Sequence, residues 1–299
     1  MSFQSIDPRD GRLIGEYAAW DAAQLEQALQ QVAEATPRWA DTPMAERCRL
    51  VRAAGVVLRR RKEELARLIT LEMGKLYKEA LAEVEKCALG CNYYAEQGPA
   101  FLADEAIPSD AGKSYVAYLP LGTVLAVMPW NFPFWQVMRF AIPALVAGNT
   151  GVLKHASNVP QCALALEEIF TAAGFPPGVF RSLMITAAQV QGVIEDPRIQ
   201  AVTLTGSCPA GRQVAAAAGQ ALKKSVLELG GSDAFIVLED ADLELTVQNA
   251  VASRFLNAGQ SCIAAKRFIV VDGIAKRFVA QLKLAVEALR VGDPLDEAT

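Results

Sequence analysis

The sequence predicts an α/β protein built on a doubly wound, Rossmann-like parallel sheet with flanking helices. Three observations point there. From Lys113 onward, short β-branched apolar runs alternate with helical segments, a pattern that covers a parallel sheet on both faces. The first hundred residues are mostly helical, without an internal repeat or a low-complexity linker. Polar and glycine-rich clusters fall where the strands should end, the place where ligands meet such sheets.

The elements follow in order. Residues 1–20 read as a short hairpin around Pro8-Arg9-Asp10-Gly11, a turn signal. Asp21 is placed as an N-cap for a helix through about Ala35. Thr42-Pro43 starts a second helix, residues 60–73 form a third that stops at Gly74, and 75–103 form a long amphipathic one. Ser114–Leu119 and Thr123–Met128 are runs of strand length. A helix at about 134–147 ends at Gly148, and Gly151–His155 is a strand. Residues 159–173 are helical, Gly174–Gly178 a turn, and 180–185 a strand. Strands at 201–204, 225–229, 234–238 and 267–271 alternate with helices at 209–221, 242–256 and 274–290.

Composition narrows the function classes. A length of 299 residues suggests two domains or one large α/β unit. With 52% hydrophobic residues the chain can bury a sizeable core. A net charge of −4 with mixed signs gives no reason to expect nucleic acid or an anionic membrane as partner. Arg59-Arg60-Arg61-Lys62 lies among glutamates and reads as a solvated helix face. The uncharged stretch 114–138 is broken by Pro120, Pro129 and Pro133, against a spanning helix. Met1–Ser5 has no apolar leader region. Six cysteines without a framework spacing fit reduced thiols in a cytoplasmic protein. Cys87 and Cys91 share a helix face, but two thiols make a weak zinc site and no metal is expected. With His155 the only histidine, a multi-histidine metal site is excluded. Chemistry must run on Cys, Glu, Asp, Lys or a cofactor.

Five places at or beside predicted strand ends carry that chemistry. Asn131 in Pro129-Trp130-Asn131-Phe132-Pro133 is an amide donor between prolines, suited to an oxyanion. Lys154, with Ser157 three residues on, can meet ribose or phosphate. Thr205-Gly206-Ser207-Cys208-Pro209-Ala210-Gly211 joins a strand to a helix N-terminus, an anion site; Arg212 rules out a nucleotide-hydrolase P-loop. Glu228-Leu229-Gly230-Gly231 offers a carboxylate as base. Asn257-Ala258-Gly259-Gln260-Ser261-Cys262 offers a thiol nucleophile. Taken singly, each has a plainer reading: an aromatic turn, a surface lysine, a strand–helix turn, a buried free cysteine.

Taken together and in this order, they resemble the NAD(P)-dependent aldehyde dehydrogenase superfamily. Pro129–Pro133 is similar to its P-W-N-F-P motif, Thr205-Gly206-Ser207 with Gly211 to F-T-G-S-x-x-x-G with Leu204 in place of Phe, Glu228–Gly231 to E-L-G-G, and Asn257–Cys262 to N-x-G-Q-x-C. Within the superfamily the resemblance is to the succinate-semialdehyde dehydrogenases, through Lys154-His155-Ala156, Gly230-Gly231-Ser232-Asp233 and Arg139.

The resemblance implies an oxidoreductase that takes an aldehyde, succinate semialdehyde, to the acid with NAD or NADP. Cys262 is then the nucleophile, Glu228 the base toward water and Asn131 an oxyanion donor. Trp130, Lys154, Ser157, Gly206, Ser207 and Leu229 line the cofactor, and Arg139 meets a distal carboxylate of the substrate. Ser157 stands where the family commonly has a glutamate that repels a 2′-phosphate, so NADP should be tolerated. The implied division is 1–228 for a dinucleotide-binding domain with its N-terminal helices and 229–299 for the start of a catalytic domain. Residues 112–128 would be an arm or oligomerisation strand pair. Family members continue well past Gly292–Thr299, so the C-terminal part of the fold would be absent and the full-length protein a homodimer or homotetramer. The rival readings are another aldehyde specificity and an inactive cofactor-binding or structural fragment.

Overall fold

In the computed structural model, which describes residues 2–299, the alternating pattern becomes a five-stranded parallel sheet. Its strands are β5 (Thr123–Val127), β6 (Thr150–Lys154), β7 (Phe180–Ser182), β8 (Ile199–Thr205) and β9 (Lys224–Glu228), in the order β7-β6-β5-β8-β9. The β5, β6 and β8 runs are apolar because helices cover both faces of the sheet. Those helices include α1 (Ala22–Ala40), α5 (Trp135–Val146), α6 (Pro160–Ala172), α7 (Val190–Glu195) and α8 (Cys208–Gln220).

Strand order reverses at β5. The chain moves outward through β6 and β7 on one side, then crosses to β8 and β9 on the other. A crevice opens at such a switch point, beyond the carboxyl ends of the strands. Register aligns those ends: Val127 pairs with both Lys154 and Leu204, and Thr205 pairs with Glu228.

The remaining N-terminal elements support this sheet. The hairpin β1 (Ser2–Ile6) and β2 (Leu13–Ala18) precedes α1. Asp21 caps α1 through the Gln24 N–H and Gln24 returns the bond, a capping box. Helix α1 runs past the expected stop near Ala35 to Ala40 and carries Pro37 within its last turns. Trp39 rewards the extension, being 1% exposed with its indole N–H on the Leu145 carbonyl. Helices α2 (Met44–Arg60), α3 (Lys62–Met73) and α4 (Tyr77–Phe101) follow. Gly74 ends α3 at φ +75°, the left-handed position that favours glycine.

Two buried glutamates tie these helices to the sheet. Glu72 of α3 accepts the Gln161 and Cys162 N–H groups at the start of α6. Glu83 of α4 accepts the Phe134 and Trp135 N–H groups at the start of α5, each at 2.9 Å. Each carboxylate satisfies orphan N–H donors at a positive helix end. Glu83 also pairs with Lys75, and both are almost fully buried.

Beyond β9 a smaller layer begins. Strands β10 (Asp233–Val237) and β11 (Ala265–Val270) pair in parallel, with α9 (Leu243–Phe255) and α10 (Asp272–Glu287) beside them. They share a separate core of Val237, Val247, Ala250, Ile274 and Phe278.

Several expectations need correction. The strand expected at 114–119 shrinks to β4 (Tyr115–Val116), which pairs antiparallel with β3 (Glu105–Ala106). Thr123–Val127 is instead the central strand, so residues 112–128 do not pair with one another; the burial of Val124–Ala126 in the core decides this. The strand at 180–185 stops at Ser182, and residues 187–195 hold a short turn and α7 that the sequence reading passed over. Their signal was present as Thr186-x-x-Gln189, which forms a capping box.

Candidate active site

The strand ends and the segment before β11 enclose a cleft of about 380 Å³. Trp130 and Asn131 reach it from the loop after β5, Gly206 and Ser207 from the loop after β8, and Glu228 and Leu229 from the end of β9. Cys262 closes it from the other side. Six of the ten residues assigned from sequence to catalysis or binding therefore share this cleft with Cys262.

Cys262 is half-buried and follows a short turn, Leu256–Gly259, in which Asn257 and Ala258 take φ of +59° and +53°. Non-glycine residues in the left-handed region are uncommon, and such positions cluster at functional sites. Asn257 holds the turn. It is 1% exposed, and its side-chain amide donates to the Asn131 carbonyl at 2.8 Å and the Gln260 carbonyl at 3.2 Å. The Asn131 amide in turn donates to the Gln260 carbonyl at 2.7 Å. The oxyanion candidate and the thiol loop are thus joined directly. Lys266 joins the third segment, donating to the carbonyls of Gly231 and Cys262 at 2.8 Å each.

The loop after β5 has its own anchor. His155 is buried; its Nδ1 accepts the Ala156 N–H and its Nε2 lies 2.9 Å from the Pro133 carbonyl. An acceptor Nδ1 places the proton on Nε2, which donates to Pro133. Burial pushes the imidazole down to about 4, so the ring is neutral near pH 7. Both nitrogens are committed to backbone, and His155 is no general base. Lys75 adds a cation over the Phe132 ring at 3.9 Å.

The cofactor candidates divide. Gly206 and Ser207 precede α8, where Ser207 accepts the Ala210 N–H. Leu229 lies against this turn: a Cβ at Gly211 would sit 2.6 Å from Leu229 Cδ2 and push that side chain aside. The side chains of Trp130 and Leu229 keep more than a third of their surface exposed within the cleft. Exposed apolar surface of Trp130 and Leu229 thus lies beside the positive N-terminal end of the 13-residue α8. Lys154 and Ser157 lie outside this cleft, Lys154 at the end of β6 next to it and Ser157 exposed on a neighbouring depression. Burial lowers the Lys154 amine from its usual value.

Arg139 lies elsewhere again. It projects from α5 into a second cavity of about 280 Å³ lined also by Lys86, Trp135, Leu256 and Ile263. Cys262, Ser261 and Gln136 line both cavities. The thiol therefore stands between a glycine-rich cleft and a cavity lined by Arg139 and Lys86 together with Glu79 and the Lys75–Glu83 pair. Arg139 Nη2 is 3.2 Å from Glu228 Oε1; the plainer reading, an arginine in an ion pair, is present alongside the cavity position.

Asn257, His155, Glu83 and Lys266 were not singled out from sequence. Asn257 lay inside a quoted motif, and its chemistry depends on a left-handed backbone that sequence does not display. Glu83 and Lys266 act across the fold and leave no local signal.

Known proteins match this arrangement. Residues 1–299 match the aldehyde dehydrogenase family. A probable succinate-semialdehyde dehydrogenase [NADP(+)] of Synechocystis sp. is 52% identical over 294 residues, covering 98% of this chain and 65% of the relative. The succinate-semialdehyde dehydrogenase [NADP(+)] of Mycobacterium avium is 49% identical, covering all of this chain and 64% of its own length. The crystal structure of succinic semialdehyde dehydrogenase from Streptococcus pyogenes with NADP+ superposes with a TM-score of 0.97 at 38% identity, covering 99% of this chain and 66% of that one. The chain thus spans about 65% of the length of the relatives it matches. With a thiol, an amide and a carboxylate at one strand-end cleft and a match along its whole length, the chain belongs to the aldehyde dehydrogenase family.

Proposed function

We propose that the full-length protein oxidises an aldehyde with a distal carboxylate, succinate semialdehyde, to the acid with NADP or NAD. One observation carries the reading: Cys262 lines both the glycine-rich cleft and the cavity holding Arg139. A thiol at that junction meets cofactor on one side and substrate on the other.

The Cys262 sulfur adds to the aldehyde carbon. The oxygen takes up negative charge and faces the Asn131 amide, one of whose two N–H bonds is committed to Gln260. A bound nicotinamide dinucleotide supplies the hydride acceptor, and Trp130, Leu229, Gly206 and Ser207 would hold it. Loss of hydride leaves a thioester on Cys262. Glu228 then takes a proton from water, the water oxygen bonds to the acyl carbon, and the carbon–sulfur bond breaks to free the acid and the Cys262 thiolate, the form that adds to the next aldehyde. Arg139, with Lys86 beside the same cavity, supplies positive charge for the far carboxylate.

NADP use is supported by Ser157, which brings no negative charge to the end of β6, and by the NADP(+) names of the relatives. Assembly into a homodimer or homotetramer is supported by exposed Tyr115, Tyr118, Leu119 and Leu121 around β4. A cytoplasmic setting is supported by six free cysteines, four of them buried; burial raises Cys87 and Cys162 well above the usual thiol range and Cys91 to about 12. Among the described residues no helix is long and apolar enough to cross a membrane. The two-domain division at about residue 228 is supported by the separate core behind β10.

Steady-state kinetics of the full-length protein with succinate semialdehyde, butanal and both cofactors test the reading. A higher kcat/KM for the charged aldehyde is expected; equal values would remove the substrate assignment.

A further inference from the structure

The Arg139–Glu228 ion pair connects the proposed substrate anchor to the proposed base. Arg139 has its side chain in the second cavity, yet its Nη2 is 3.2 Å from Glu228 Oε1, and Glu228 lines the first. Its Nη1 lies 3.4 Å from Gln136 Oε1. Both terminal nitrogens of the guanidinium are therefore engaged. A carboxylate binds arginine best through two parallel N–H groups. A substrate carboxylate seated on both terminal nitrogens competes with Glu228 for Nη2.

Magnitudes favour displacement of Glu228. The Arg139 and Glu228 side chains are 37% and 53% exposed, so their pair is screened by water and weak. A bidentate carboxylate contact is the stronger geometry for a guanidinium than a single-nitrogen one. Arg139 is the one ion-pair partner of the Glu228 carboxylate among the described residues, so once displaced the carboxylate can turn toward Cys262 across the cleft they share.

We infer that the substrate's distal carboxylate releases Glu228 from Arg139, so that a charged aldehyde prepares the base for its own thioester hydrolysis. The inference rests on the proposed substrate reading. It assigns Arg139 two uses in sequence: it holds Glu228 while the cavity lacks an anion, and it holds the acyl chain's carboxylate once the thioester has formed. Glu228 is then free to take the proton of the attacking water as the carbon–sulfur bond breaks. An uncharged acyl chain leaves the pair intact and its thioester hydrolyses slowly.

The test separates hydrolysis from hydride transfer. Full-length enzyme is mixed with cofactor and either succinate semialdehyde or butanal. The reduced-cofactor burst is followed by absorbance, and acid release after the burst by chemical quench. Arg139→Gln should hydrolyse the butanoyl thioester about two- to fivefold faster than wild type, the range expected from losing one exposed ion pair. A second arm needs no variant: propionate added to wild type turning over acetaldehyde should speed acetyl release by seating its carboxylate on Arg139. Unchanged or slower butanoyl hydrolysis in Arg139→Gln, with no effect of propionate, overturns the inference while leaving a wild-type preference for succinate semialdehyde untouched. Loss of that preference in wild type itself overturns the substrate reading and the inference with it.

Discussion

The Asn131 side-chain amide donates to the Gln260 carbonyl at 2.7 Å, and the Asn257 side-chain amide donates to that same carbonyl at 3.2 Å. The oxyanion candidate and the cysteine loop are therefore positioned by one shared acceptor. Asn257→Gly keeps the left-handed backbone available but deletes the amide that spans Asn131 and Gln260. It should lower kcat by about a hundredfold, the scale of a slightly misplaced reacting group. Asn131→Ala should cost about 10²–10³ in kcat. Cofactor affinity, measured by fluorescence titration, should stay near wild type in both. Normal kcat in Asn257→Gly would show that the clamp does not matter for the chemistry.

His155 sets a pH limit on stability. Its folded value of about 4 lies below the ordinary imidazole value, so the unfolded chain binds the proton more readily. Stability is therefore intact above about pH 6.5, falls as pH drops through that value, and stops falling below about pH 4. The full loss from this residue is about 3 kcal/mol. Urea unfolding of wild type and His155→Gln between pH 7 and 4 should show the gap between them closing on the acid side. A gap independent of pH would mean that the ring does not titrate across folding.

Glu83 carries two duties, as partner of buried Lys75 and as acceptor for the Phe134 and Trp135 N–H groups. Glu83→Ala should destabilise by about 3–5 kcal/mol, because it strands a buried ammonium. Adding Lys75→Met should recover much of that loss. Chemical denaturation of the single and double variants gives the comparison; additive losses would show that the pair is not coupled.

Ser157 is exposed at the carboxyl end of β6. Ser157→Glu should shift the ratio of NADP to NAD efficiency toward NAD by about tenfold, since a carboxylate there repels a 2′-phosphate through partly screened space. An unchanged ratio of kcat/KM values would place Ser157 away from the adenosine ribose.

Much of this architecture was legible because local rules and the fold agree. Thr123–Val127, Thr150–Lys154 and Ile199–Thr205 are strands in a buried parallel sheet, and their short, largely apolar and β-branched runs say so. Asp21 and Asp242 cap helices as their sequence positions imply. The order of Asn131, Lys154, Ser207 and Glu228 at strand ends was legible for the same reason. Illegible were features made by distant pairs. Nothing near Glu83 announces that it caps α5, 51 residues later, through Phe134. Nothing around Arg139 announces Glu228. Helix α1 passes Pro37 because tertiary burial of Trp39 outweighs a local stop signal.

The division of labour between Cys262 and Glu228 is tested most directly by intact-mass spectrometry of full-length Glu228→Gln. The variant is mixed with succinate semialdehyde and NADP, quenched within the first turnover and after prolonged incubation. One burst equivalent of NADPH should form, and the protein should gain and keep one succinyl group, mapped to Cys262 by peptide sequencing. A variant that binds cofactor normally yet gives neither burst nor adduct would place Glu228 in the first half-reaction, and an adduct on any other residue would contradict Cys262 as the nucleophile.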